Sequence, residues 1–215
     1  MTDIQQGTDA WKALRLGKVT ASRVADVIAK TKSGWGASRA NYLAELIAER
    51  LTGEPAASYT NAAMQWGTAT EPEARSAYEF RTDLTVEEIA FVEHPKILMT
   101  GCSPDGLVGK DGLVEIKCPN TATHIETLLG DPVEGKYITQ MQWQMACTKR
   151  KWCDFVSYDP RLPETMRLFV SRMNRDEKII GELEQHIKVF LDELDQKVTA
   201  LRAKYSLPNN ILMAG

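Results

Sequence analysis

The 215-residue chain is 43% apolar and 26% charged, with a formal net charge of −3; these proportions suit a globular protein with one sizeable core. It contains no run of about 18 apolar residues that could span a bilayer, and its first residues, MTDIQQGTDAW, lack a basic-then-apolar leader, so a cytoplasmic protein with no membrane partner is expected. Cys102, Cys118, Cys147 and Cys153 form no C-x-x-C pair, and with only His94, His124 and His186 to join them they read as small buried hydrophobes in a reducing compartment, not as a zinc site.

Between Trp11 and Arg39 lie seven bases, Lys12, Arg15, Lys18, Arg23, Lys30, Lys32 and Arg39, against Asp26 alone. Such a stretch is either a face for a polyanion or a solvated surface with no partner. Within it, Thr20 or Ser22 can cap a helix through RVADVIAK, with Val24, Val27 and Ile28 on one face. KTKSGWGAS reads as a loop. Ser38 is expected to cap a second helix with the stripe Tyr42, Leu43, Leu46, Ile47 and Leu51, stopped by Gly53. A third helical region runs from Asn61 to Phe80, anchored by Trp66 and Tyr78. Pro72 is expected to interrupt it, and Thr70-x-x-Glu73 to restart it as a capping box.

The period then changes. LTVEEIAFVE, ILMTGCS and GLVEIKC are short and β-branched, and Asp111-Gly112 is a favoured hairpin turn. A helix through YITQMQWQMACT follows, then strands WCDFVSYD and TMRLFVSRM. Asn174-x-x-Glu177 opens a long helix with the stripe Ile180, Leu183, Ile187, Phe190, Leu194, Val198 and Leu201. The order predicts an α/β fold, a mixed central β-sheet flanked by helices. One domain is expected over 1–215, with a helical N-terminal region over 1–82, a core over 83–173 and a C-terminal helix over 174–204.

Chemistry concentrates in CSPDGLVGKDGLVEIKCP. On a strand, Glu115 and Lys117 share one face while Val114 and Ile116 point into the core. A hairpin can carry Asp105 alongside them. Two carboxylates and the Ile116 carbonyl form a hard oxygen set suited to Mg²⁺ or Mn²⁺. Lys117 beside them can orient a water or stabilise charge on a phosphate. The chemistry implied is metal-assisted phosphodiester hydrolysis; the competing reading is a surface hairpin whose acids are turn and edge chemistry.

The segment resembles the PD-(D/E)XK nucleases, with Pro104-Asp105 and Glu115-Ile116-Lys117 as the two halves of the motif. DAWKALRLGKVTASRVADVIAK, WGTATEPEAR, CSPDGL, EIKCP, QMQW and YDPR occur in the order seen in the phage lambda exonuclease and YqaJ-type viral recombinase family, from residue 9 to about 200. The resemblance implies a PD-(D/E)XK nuclease-like core. It also implies a Mg²⁺-dependent 5′→3′ exonuclease that digests the 5′-ended strand of linear double-stranded DNA and leaves 3′ overhangs for strand annealing. A homotrimeric ring around double-stranded DNA ends and an annealing partner of the RecT or Bet type come with it. By position, Asp105 and Glu115 look like the metal carboxylates, with the Ile116 carbonyl, and Lys117 like the catalytic lysine. Glu71 matches an upstream acid near the metal or its water, and Gln140 a glutamine on the crossing helix. Arg15, Ser22 and Ser103 match residues that hold the terminal 5′-phosphate, with a helix N-terminus near Ser22 assisting. Lys32 and Met64 fall where the family contacts DNA, Met64 as a wedge. The alternatives are a repair or restriction endonuclease, a non-catalytic DNA-end-binding module, and an interaction domain built on the C-terminal stripe.

Overall fold

The computed structural model describes residues 4–32, 34–56 and 61–205; the first three residues of the N-terminal stretch and Ser33 of the expected loop lie outside them. The amino-terminal third comprises α1 (Asp9–Arg15), β1 (Val19–Thr20), α2 (Val24–Val27), β2 (Lys30–Thr31), β3 (Gly34–Trp35), α3 (Ala37–Thr52) and α4 (Ala62–Thr82). Then come β4 (Val86–Glu87), β5 (Val92–Glu93), β6 (Thr100–Cys102), β7 (Gly106–Val108) and β8 (Gly112–Lys117). The chain continues through α5 (Thr121–Leu128), α6 (Gly135–Thr148), β9 (Trp152–Tyr158), β10 (Leu168–Asn174) and α7 (Glu177–Tyr205).

The main sheet is mixed, ordered β10-β9-β8-β7-β4, with β8 parallel to β9 and the other pairs antiparallel. A smaller sheet, β1-β6-β5, joins the amino-terminal segment to the middle of the chain through the parallel pair Val19↔Thr100. Both faces of β8 are covered. Val114 and Ile116 pack with Ala74 and Tyr78 of α4, while Leu113 meets Met141 and Met145 of α6. The far side of α6 presents Trp143, Ala146 and Cys147 to α2, α3 and α7. Glu115, on the Leu113 face, is therefore fully buried, which removes the surface-hairpin reading. Its face was expected to oppose the core; it lies inside a second one.

Several local expectations are corrected. The helix after Thr20 is one 3-10 turn (Ala21–Arg23) and the four residues of α2, without a side-chain cap. The chain leaves it to form the β2–β3 ribbon, inside the stretch expected to be loop. α3 begins at Ala37 with Gly36 as its cap, not Ser38. α4 runs unbroken through Pro72. A proline inside a helix costs about 3 kcal/mol, but Thr70, Ala74 and Tyr78 recur every fourth residue and are all buried. Glu73 makes no capping box; it accepts from Tyr158 Oη at 2.8 Å.

The β7–β8 connection is a three-residue loop over residues 109–111, with Gly109 at φ +52. Gly112 is already in the strand, where a Cβ would meet the Trp152 ring at 2.1 Å. Asp176, not Asn174, caps α7, accepting from the amides of Lys178 and Ile179 at 2.8 and 3.1 Å, because Asn174 is still paired in β10. Helix α5 is an element beyond those expected from the periodicity; Asn120 caps it, accepting from Thr123 N at 3.0 Å. From Ile180 to Val198 the α7 stripe is buried, but Leu201 at its end is exposed.

Candidate active site

β8 ends where β7 begins, so the Asp105 carboxylate meets the β8 backbone: Ile116 N donates to its Oδ2 at 2.6 Å. In a pleated strand the carbonyl of a residue points to the same side as its N–H. The Ile116 carbonyl therefore faces the Asp105 side, away from β9. Glu115 Oε1 accepts from Lys117 Nζ and from Gln140 Nε2, the latter at 2.6 Å, and Oε2 accepts from Gln144 Nε2 at 2.6 Å. Gln140 and Gln144 are one turn apart on α6, so both reach down the same helix face. Gln144 was missed in the sequence, although the i, i+4 spacing of two glutamines on a buried helix marks it.

The electrostatics follow from burial. Asp105 is held well above the usual carboxylate range by burial and then by the Glu115 charge, against the pull of Lys117. Glu71, on α4, is also raised, first by burial; Glu115 and Glu88 add to this, while Arg75 and Lys117 oppose it. Arg75 Nη2 donates to Glu71 Oε1 at 2.8 Å. Burial alone would lower Lys117, but Glu115 and Asp105 outweigh it and raise it above its ordinary value, so the ammonium stays charged. The Cys118 thiol is pushed up to about 12, by burial and then by Glu71 and Asp105, leaving it inert near neutral pH.

Among the described residues no three His, Cys, Asp or Glu side chains form a ready metal cluster. The donor set is two carboxylates and one main-chain carbonyl. Burial and then the neighbouring Glu115 charge raise the proton affinity of Asp105, and a small hard dication fits there because it relieves that cost. Mg²⁺ characteristically takes one or two carboxylates and keeps several waters.

A second cluster forms around Ser103, two residues before Asp105. Ser103 Oγ accepts from Trp11 Nε1 at 2.9 Å and from Arg15 Nη1 at 3.2 Å. Arg15 stacks on the Trp11 ring at 4.1 Å and reaches Thr20 Oγ1 at 3.5 Å. A hydroxyl that accepts twice keeps its own hydrogen to donate. Ser22 is exposed, two residues past Thr20, and the expected helix N-terminus beside it is too short to bind an anion. Met64 is 52% exposed on the first turn of α4, and Lys32 is exposed at the tip of the β2–β3 ribbon; neither touches the carboxylates.

The basic stretch is largely neutralised. Lys12 pairs with Asp9, Lys18 with Glu93, Arg23 with Asp26 and Glu45, and the buried Arg39 with Glu193. Of the seven bases, Arg15, Lys30 and Lys32 carry no such ion pair among the described residues. Acids distant in sequence supply most of these partners, so a linear charge count could not anticipate them.

The family model described as a YqaJ-like viral recombinase domain matches residues 10–151. The chain belongs to that family. The structure of an alkaline exonuclease (LHK-Exo) from Laribacter hongkongensis is 54% identical to this YqaJ-like chain, covering 93% of it and 98% of the exonuclease at TM-score 0.86. The same exonuclease in complex with dAMP matches at the same identity and coverage with TM-score 0.87. A phage-related exonuclease from Haemophilus somnus 129PT shares the fold at 16% identity and TM-score 0.67, over 88% of this chain and 99% of that one. No curated protein sequence matches. Every residue given a role above, from Arg15 to Gln144, lies inside the span matched by the YqaJ-like model.

Proposed function

We propose that this YqaJ-like protein is a Mg²⁺-dependent 5′→3′ exonuclease that digests the 5′-ended strand of linear double-stranded DNA. Family membership supports the coarser statement, a nuclease. The observation that carries the finer one is the convergence of Asp105, Glu115 and Lys117 at the joined ends of β7 and β8, next to the Arg15–Ser103 cluster.

Asp105, Glu115 and the Ile116 carbonyl would hold the cation, which when bound supplies Lewis-acid polarisation of the phosphodiester and an activated water. Gln140 and Gln144 fix the Glu115 carboxylate in place. Lys117, kept protonated, acts as a charge toward the phosphoryl oxygens and not as a base. Glu71, with its raised proton affinity, is suited to a hydrogen bond with the attacking water. Arg15, Ser103 and Ser22 bind the terminal 5′-phosphate, and Lys32 and Met64 meet the duplex. A homotrimeric ring, a cytoplasmic location, a single nuclease domain over 1–215 and an annealing partner of the RecT or Bet type that receives the 3′ overhang complete the proposal.

The test is digestion of linear duplex with Mg²⁺, each strand end labelled in turn. Release confined to 5′-ended strands is expected, and closed circular DNA should survive. Cutting of the circle would replace this reading with an endonuclease.

A further inference from the structure

One exposed guanidinium lies outside both clusters. Arg161, in the connection between β9 and β10, stacks on the Trp66 ring with Cζ 4.5 Å from its centroid. Its Nε and Nη2 donate to the two carboxylate oxygens of Asp159 at 2.7 and 3.0 Å, and its backbone N–H donates to Oδ1 at 3.0 Å. Asp159 is fully buried, so the fork is anchored from beneath. Nη2 also donates to the Pro119 carbonyl at 3.2 Å.

These anchors locate the group. Pro119 is two residues past Lys117, at most about 7 Å of extended chain. Trp66 is five residues before Glu71 on the same helix, about 7.5 Å along its axis. Arg161 therefore bridges two elements that each carry a residue of the candidate active site. Nη1 carries no hydrogen bond among the described residues, while the side chain remains 46% exposed. The Trp66 indole N–H is buried without an acceptor among the described residues. A guanidinium fixed on three sides and open on the fourth is preorganised for one acceptor, and a phosphodiester oxygen matches its charge and shape.

We infer that Arg161, seated on Trp66 and Asp159, holds a backbone phosphate of the DNA strand as it enters the site. Arg161 closes the YDPR block and lies beyond residues 10–151, which the family model matches. The inference rests on the nuclease reading above.

The test compares wild type with Arg161→Gln on 5′-phosphorylated linear duplex over a series of salt concentrations. The expected result is a KM raised about tenfold, kcat within about twofold, and a salt dependence of binding shallower by roughly one phosphate contact. Arg161→Lys should restore some of the affinity, since it keeps the charge and loses the fork. Arg161→Gln strands a buried carboxylate, so the double variant Asp159→Asn/Arg161→Gln is measured beside it. A double variant with wild-type KM and salt slope overturns the inference and leaves Arg161 as a staple of the β9–β10 connection. Equal loss of kcat and melting temperature in both variants, with no change in salt slope, overturns it too. A wild-type protein that does not cleave duplex DNA with Mg²⁺ overturns the nuclease reading itself, and this inference with it.

Discussion

Gln144 Nε2 donates to Glu115 Oε2 at 2.6 Å, in the buried space between α6 and β8. Gln140 and Lys117 occupy the other oxygen, so each Glu115 oxygen has a donor of its own. Gln144→Met keeps the volume and removes the donor to Oε2. Leaving a buried acceptor unsatisfied costs about 1–3 kcal/mol, and denaturant titration should read a loss of that size. No loss would mean that the carboxylate finds another donor.

Asp105→Asn and Glu115→Gln are expected to keep the fold, since both are near-isosteric, and to abolish cleavage. Duplex binding with Ca²⁺ in place of Mg²⁺ should survive both changes. Lys117→Ala should slow cleavage by roughly 10²–10³, the effect of removing one preorganised electrostatic group. Cleavage by the Asp105→Asn protein at the wild-type rate would remove the carboxylate assignment.

The Arg15–Ser103–Trp11 cluster predicts end selection. Charge-assisted hydrogen bonds contribute about 1.5–3 kcal/mol each, so wild type should prefer 5′-phosphorylated to 5′-hydroxyl ends by roughly tenfold or more. Arg15→Ala should erase most of that preference. If the variant slows both substrates equally, the phosphate is held elsewhere.

Asp105 and Glu71 both hold protons more tightly than ordinary carboxylates, chiefly through burial. At these two groups the folded chain binds more protons than the unfolded one, so without a cation their contribution to stability falls as pH rises from about 4, the ordinary carboxylate value, through the raised folded values. Metal binding displaces those protons and strengthens with pH. The rise in melting temperature on adding Mg²⁺ should therefore be larger at pH 8 than at pH 6, and Asp105→Asn should weaken the pH dependence. A Mg²⁺ effect independent of pH would contradict this linkage.

Stability also depends on a polar network under the main sheet. Asp154, buried in β9, accepts from Tyr78 Oη at 2.7 Å and from Arg172 at 2.7 and 2.8 Å. Removing one partner of a buried pair costs about 3–5 kcal/mol, and the half-exposed Arg172 can recover some of that from water. Asp154→Ala should thus lower the unfolding free energy by about 2–4 kcal/mol, measured in denaturant, with the loss shared by Tyr78→Phe in a double-mutant cycle.

The sequence by itself singled out the candidate site. Asp105, Glu115 and Lys117 stand out because acids and a lysine at strand spacing are costly inside an apolar segment, and several motif blocks in order supplied the family. The order of the longer strands and helices followed from periodicity, which reports which face of an element is apolar, while α5 and the β2–β3 ribbon did not. What periodicity cannot report is what lies on the other side. That Glu115 is buried beneath α6, that Gln144 reaches it, and that α4 passes through Pro72 all depend on packing between segments remote in sequence. The basic stretch shows the same division: its seven charges are visible in the sequence, but Glu45, Glu93 and Glu193, which neutralise three of them, arrive only when the chain folds. Long-range pairing of charges and of helix faces is a property of three-dimensional proximity, and only the tertiary structure decided it.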